Sequence, residues 1–262
     1  NVVAHEDSAL SRALTKAALA TGRGFIVHSA QDEANLRRMF PGRAIRHAIH
    51  PSFEFFRAAG LTREEARGRL GVEGNVVLFF GIVRPYKGLE YLLRAMPRVL
   101  ESTEVTALVV GEFWEPREKY EKLIEQLGIG GRVRIVGEYV PNEDVELYFA
   151  AADLVALPYR SATGSGVVQV AYAFERPVVA TSVGCFTEVV RDGRTGYLVP
   201  QCDSEALALA IARFFSKADR EAMSRAIRAE REKFSWNHLV ETIEGLAQEI
   251  ARRRAASRGR AD

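Results

Sequence analysis

The chain is poor in cysteine, has no long apolar run and carries almost no net charge, and each shortage removes a class of protein. Cys185 and Cys202 are the 2 cysteines in 262 residues. They show neither metal-ligand nor redox-pair spacing, so there is no disulfide framework and the usage fits a reducing compartment. No apolar stretch approaches the length a helix needs to cross a bilayer, and the opening residues NVVAHEDSAL have neither the basic end nor the apolar middle of a secretory signal. The expected location is cytoplasmic. A formal net charge of +2 gives no ground for a nucleic-acid partner. The last stretch, ARRRAASRGRAD, gathers Arg252, Arg253, Arg254, Arg258 and Arg260. It reads first as a solvated end and, alternatively, as a peripheral contact with an anionic membrane face.

Several chemical signatures are missing as well. His5, His28, His47, His50 and His238 show no zinc-ligand pairing and no acidic metal-binding triplet stands out, so no metal and no cofactor is expected. A serine hydrolase needs a Gly-x-Ser-x-Gly elbow, which is absent. The dinucleotide fingerprint requires a third glycine where Gln169 stands, and the Walker pattern requires Ser or Thr after a Gly-Lys pair, whereas this chain reads Lys87-Gly88. Hydride transfer and phosphoryl transfer both lose their usual signature.

What is present is a globular composition, 47% hydrophobic and 27% charged, in an alternating pattern. From Asn75 onward, short apolar runs (NVVLFF, VTALVV, RVRIV, DLVAL, PVVAT) alternate with amphipathic segments, the pattern of a parallel sheet with helices on both faces. In LEYLLRAMPRVL the residues Leu89, Leu92, Leu93, Met96, Val99 and Leu100 recur at helical spacing, with Pro97 expected to bend or shorten the helix. Gly128 should close the helix REKYEKLIEQL, Asn142 should cap NEDVELYFAAA, and Asp192-Gly193 should turn. Helix is expected again from Ser204. Residues 1–50 carry two strands and two helices, the first helix from about Ser8, too little to cover a sheet, and look like a remnant of a second α/β domain. Residues 51–74 read as a hinge, 75–235 as a Rossmann-like domain, and 236–262 as a returning helix with a basic tail.

In open parallel sheets, ligands bind beyond the carboxyl ends of the strands, where helix N-termini expose unpaired N–H groups. Four loops qualify: GIVRPYKG, GEFWEP, GEYVPNE and SATGSGVVQ. The last places Gly164 and Gly166 before an apolar helix, with Ser161, Thr163 or Ser165 available as caps, and reads as an anion site or as a plain capped turn. The first carries Arg84 and Lys87 after Gly81, a fork and a point charge suited to a diphosphate. Glu112, Glu138 and Glu188 lie near strand ends, either to hold a sugar hydroxyl or simply solvated.

Taken together, FFGIVRPYKGLEYLLRAM, VRIVGEYVPNEDVELYFAAADLVALPY and ERPVVATSVGCFTEVVRDGRTGYLVPQCDSEALA resemble the carboxyl-terminal half of the family 4 (group 1) retaining glycosyltransferases. The resemblance implies a GT-B architecture whose carboxyl-terminal domain binds a UDP-, GDP- or ADP-sugar, with a glycan, lipid-linked or small-alcohol acceptor bound by the other domain. It implies that Arg84 and Lys87 meet the diphosphate, although relatives carry the arginine directly after the glycine, where this chain has Ile82. It assigns donor contacts to Gly81, Gly111, Glu138, Tyr139, Thr163, Gly164, Ser165, Gly166, Val167, Gln169 and Glu188. The family's two glutamates, with seven residues between them, fall on Ala162 and Val170, and Gln169 is the replacement expected at the ribose. The implied function is sugar transfer with retention, needing no metal; the alternative is a non-catalytic module that binds nucleotide-sugars.

Overall fold

A computed structural model describes residues 9–258, which form two compact units, 9–51 with 232–258 and Ser52–Arg231. His5, Ser8 and Arg260 lie outside the described residues. Among the described residues no helix is long and apolar enough to cross a membrane.

The smaller unit begins with α1 (Ala9–Ala20), β1 (Gly24–Val27), α2 (Ala30–Met39) and β2 (Ala44–His47). Ser29 caps α2 through its hydroxyl, which accepts from Asp32 N at 3.1 Å. β1 and β2 pair in parallel, and Val27, Leu36 and Ile45 form a small core beneath Phe25, Met39 and Phe40.

The larger unit opens with a 3-10 turn, Glu54–Arg57, and α3 (Arg63–Leu70). The sequence reading treats this stretch as hinge and overlooks α3, although Thr62 and Glu65 form a reciprocal capping box and Gly71 ends the helix in a left-handed conformation. There follow β3 (Asn75–Phe80), α4 (Leu89–Leu100), β4 (Val105–Val110), α5 (Glu118–Gln126), β5 (Val133–Val136), α6 (Val145–Ala151), β6 (Leu154–Leu157), α7 (Gly166–Ala173), β7 (Val178–Thr181), α8 (Phe186–Val189), β8 (Gly196–Val199), α9 (Ser204–Lys217) and α10 (Arg220–Ala229). The chain then returns to the smaller unit as α11 (Trp236–Arg258), whose Leu246 and Ile250 side chains reach Gly24 of β1.

Of the two outcomes expected of Pro97, shortening does not occur: α4 runs on to Leu100, with Leu92, Leu93, Met96 and Val99 on its buried face. Asn142 does not cap α6: Asn142–Asp144 form a 3-10 turn and the helix begins only at Val145, without a side-chain cap.

The six strands are parallel in the order β5-β4-β3-β6-β7-β8. This is the doubly wound arrangement, in which the chain leaves β3 toward one edge and returns to build toward the other from β6. Alternation along β3 serves both faces. Val77 and Phe79 join the cluster formed with Leu92, Met96, Ile211 and Phe214, while Phe80 meets Phe149 edge to face at 4.9 Å on the opposite face. The fold class read from the sequence is the one observed.

At the amino end of the sheet, Asp153 is a buried carboxylate that joins three segments. It accepts from Val76 N at 2.8 Å and Arg67 at 2.7 Å, with Arg63 at 3.2 Å. Removing it leaves the buried Val76 N–H without its acceptor and two half-buried guanidiniums without their counter-charge, so Asp153→Ala is expected to destabilise the chain by about 2–4 kcal/mol in denaturant unfolding; a loss below about 1 kcal/mol would contradict this role.

Candidate functional site

The loops 81–88 and 158–165 follow the carboxyl ends of β3 and β6, neighbours whose connections run to opposite edges, which is the switch point where open α/β sheets form their ligand crevice. The loops are fastened to each other. Arg160 N donates to Tyr86 O at 2.7 Å, its guanidinium reaches Glu90 at 2.8 Å, and the Tyr86 and Tyr159 rings meet edge to face at 5.8 Å. Gly88 explains why the sequence reads Lys-Gly here. At φ 67° a side chain would be strained, and its Cβ would lie 2.2 Å from Pro158 O, so only glycine lets the loops close.

Gly81, at the end of β3, is the point of convergence. A Cβ placed on it would lie 2.8 Å from Lys87 Nζ and 3.7 Å from Val167 Cγ2 in the first turn of α7. A Cβ on Gly111, at φ 136°, would lie 2.5 Å from Gly81 O. Of the residues singled out in the sequence, the structure thus brings together Gly81, Lys87, Gly111, Ser165, Gly166 and Val167.

Lys87 ends the 3-10 turn Pro85–Lys87 and is only 8% exposed, with its ammonium 5.7 Å from the Tyr159 ring centroid. Burial and the nearby charge of Arg84 push its pKa from 10.5 down to about 8. No described carboxylate offsets the charge of Lys87. Arg84 sits over the Trp114 ring at 5.0 Å and near Tyr86 at 5.9 Å.

Ser165 is the N-cap residue of α7, but its side chain caps nothing, contrary to one reading of this loop as a capped turn. The buried Oε1 of Gln169 has no hydrogen-bond partner, and the buried Ser165 hydroxyl, although it lies near the Tyr159 hydroxyl, completes no well-formed bond. Such orphaned polar atoms are rare in native interiors, and two on one helical turn mark a place where a ligand would supply the missing partners. Gly166 serves a purpose the sequence did not reveal: a Cβ there would lie 3.2 Å from the Phe53 ring, so the missing side chain accommodates an aromatic as well as exposing backbone.

The remaining expected residues are more dispersed. Thr163 is half-buried and Gly164 exposed within the β6 loop; Glu188 is half-buried on α8, beyond β7. Glu138 and Tyr139 are exposed beyond β5, two strands from the crevice. Ala162 and Val170, where relatives carry glutamates, are both buried. Sequence reasoning passed over Trp114 and Tyr159, which pack against the two basic residues. The only signal was position: Trp114 lies in the loop GEFWEP, and Tyr159 stands two residues before SATGSGVVQ.

With this geometry in view, the comparisons are informative. Residues 74–217 match the family model described as glycosyl transferases, group 1. The D-inositol 3-phosphate glycosyltransferase of Nocardioides sp. is 34% identical over 210 residues, covering 73% of this chain and 46% of that protein. Its namesake from Mycolicibacterium gilvum is 32% identical over 87% of this chain and 52% of that protein. The chain spans about half the length of these curated relatives. Among solved structures, sucrose-phosphate synthase from Thermosynechococcus elongatus superposes with a TM-score of 0.77 at 27% identity, covering 94% of this chain and 62% of that one. HepE from Anabaena, solved with UDP and glucose, superposes with a TM-score of 0.76 at 23% identity, covering 98% and 70%.

The low pKa of Lys87 carries a stability signature. Between about 8 and 10.5 the unfolded chain holds a proton that the folded chain does not, so the lysine destabilises the fold at neutral pH and the penalty, roughly 3 kcal/mol, is relieved as pH rises through that window. Lys87→Met should therefore raise the melting temperature at pH 7 and lose that advantage by about pH 10.5. A variant less stable than the parent at pH 7 would contradict the assignment.

Proposed function

This chain belongs to the group 1 glycosyl transferases, and from that membership we propose that its crevice holds the diphosphate of a nucleotide-sugar and promotes transfer of the sugar to an acceptor hydroxyl with retention at the anomeric carbon. The observation that carries the proposal is the meeting of an uncompensated buried ammonium, Lys87, with the first turn of α7 at Gly81. An eight-residue helix whose cap side chain makes no bond presents its N–H groups and its positive dipole end to an anion.

In the proposed reaction the bond between the anomeric carbon and the β-phosphate oxygen breaks. The acceptor oxygen bonds to the same face of that carbon, and its proton passes to the departing diphosphate. Negative charge grows on the diphosphate as it leaves, which is where fixed positive groups contribute most. Lys87, Arg84 and the N–H groups around Ser165–Val167 supply that stabilisation, while the open acceptors of Ser165 and Gln169 receive donor hydroxyls, Gln169 at the ribose. UDP is the favoured nucleotide because HepE was solved with UDP. The relatives named for D-inositol 3-phosphate make a phosphorylated cyclic alcohol the first acceptor to try.

Calorimetric titration of the chain with UDP, GDP and ADP, repeated on Lys87→Ala, tests the proposal. One diphosphate should bind, and the variant should bind it about tenfold more weakly or worse, the loss expected for one charge-assisted contact. Equal affinity in parent and variant would refute the diphosphate site. Release of UDP from a UDP-sugar by the chain separates an enzyme from the alternative of a binding module, which would hold the donor without turnover.

A further inference from the structure

Arg84 lies three residues beyond Gly81, and its path to the crevice is fixed by a neighbouring loop. Val83 and Phe113 form an isolated parallel bridge. Val83 N donates to Glu112 O at 2.8 Å, and Trp114 N donates to Val83 O at 3.1 Å. In extended backbone successive side chains point to opposite sides. Val83 is fully buried and Phe113 packs toward Tyr120 at 5.7 Å, so the next residue on each strand, Arg84 and Trp114, emerges on the other side, next to each other. The guanidinium carbon of Arg84 consequently sits 5.0 Å from the Trp114 ring centroid.

Trp114 is 58% exposed, and so large an aromatic left in water calls for a reason. We propose that Trp114 is a positioning residue for donor binding: its ring holds the flat face of the Arg84 guanidinium, so that the arginine meets the diphosphate from a restricted set of rotamers. Stacking occupies a guanidinium's face and leaves its edge geometry suited to a pair of phosphate oxygens. Holding a flexible side chain in place before the ligand arrives reduces the ordering that binding must impose. Tyr86, 5.9 Å from the same guanidinium, limits it from a second direction. The β-bridge therefore does for Arg84 what burial does for Lys87.

This inference rests on the diphosphate reading, and a double-mutant cycle keeps the two separable. UDP is titrated calorimetrically into the parent, Trp114→Leu, Trp114→Phe, Arg84→Ala and the double variant Trp114→Leu/Arg84→Ala. Trp114→Leu should weaken UDP about two- to fivefold, the range of an exposed cation–π contact, whereas Trp114→Phe should stay within about twofold of the parent. In the Arg84→Ala background the leucine substitution should cost nothing further. Because Trp114 is exposed, all variants should melt near the parent temperature, which thermal unfolding verifies. If Trp114→Leu costs the same factor with and without Arg84, or costs nothing in either background, the inference is overturned while the diphosphate reading survives. If UDP does not bind the parent, the cycle is run with whichever of GDP and ADP binds; if none of the three binds, both are overturned.

Discussion

Charge is costly to remove from water, yet Lys87 holds its ammonium at 8% exposure with Arg84, and no described carboxylate, as its charged neighbour. A position selected for stability alone would carry an apolar side chain there. The arrangement makes sense when the missing counter-charge arrives with a ligand, since an anion that restores the pairing also recovers the free energy the empty site lacks. The neighbouring groups share this incompleteness: Gln169 Oε1 is a buried acceptor with nothing to accept from, and Ser165 Oγ, beside the Tyr159 hydroxyl, completes no well-formed bond. A positive group, helix amides and unfilled acceptors on adjoining elements are what support the proposal of a polyanionic ligand that carries hydroxyls.

The rest of the larger unit keeps these groups in place. Reversal of strand order between β3 and β6 opens the crevice, and the contact of Gly88 with Pro158 O draws its two walls together. Gly111 lets β4 approach the Gly81 carbonyl, which gives Lys87 a fixed floor. On the far side of α7, Phe53 covers Gly166 at its start while Arg57 donates to Ala173 O at its end, 3.1 Å away, so one short segment braces both ends of the helix. At the opposite edge of the sheet the Asp153 cluster secures the strand beginnings and leaves the carboxyl ends for the site.

Much of this was legible in the residues. Runs such as NVVLFF fix strands buried on both faces, the 3.6-residue spacing in LEYLLRAMPRVL fixes α4, and glycines beside Lys87 and Ser165 mark the loops of the crevice. Local reasoning fell short where tertiary packing decides: the shortening that Pro97 could impose on α4 is absent, its buried face running on to Val99, and Asn142 yields its capping role to a 3-10 turn. The pairing of Arg84 with Trp114 was out of reach, since it depends on a bridge between loops separated by α4 and β4. The bracing of α7 by Phe53 and Arg57 was likewise hidden, because a run of aromatics after a proline reads as a hinge until its partner helix is known.

Hydrogen exchange of the backbone amides, with and without a saturating nucleoside diphosphate, tests the central claim most directly. The account predicts that slowing of exchange is concentrated at residues 165–168, in the first turn of α7, and at residues 86–88, with little change along β8 and α9. Protection centred elsewhere, with the α7 amides exchanging at the same rate in both samples, would contradict it.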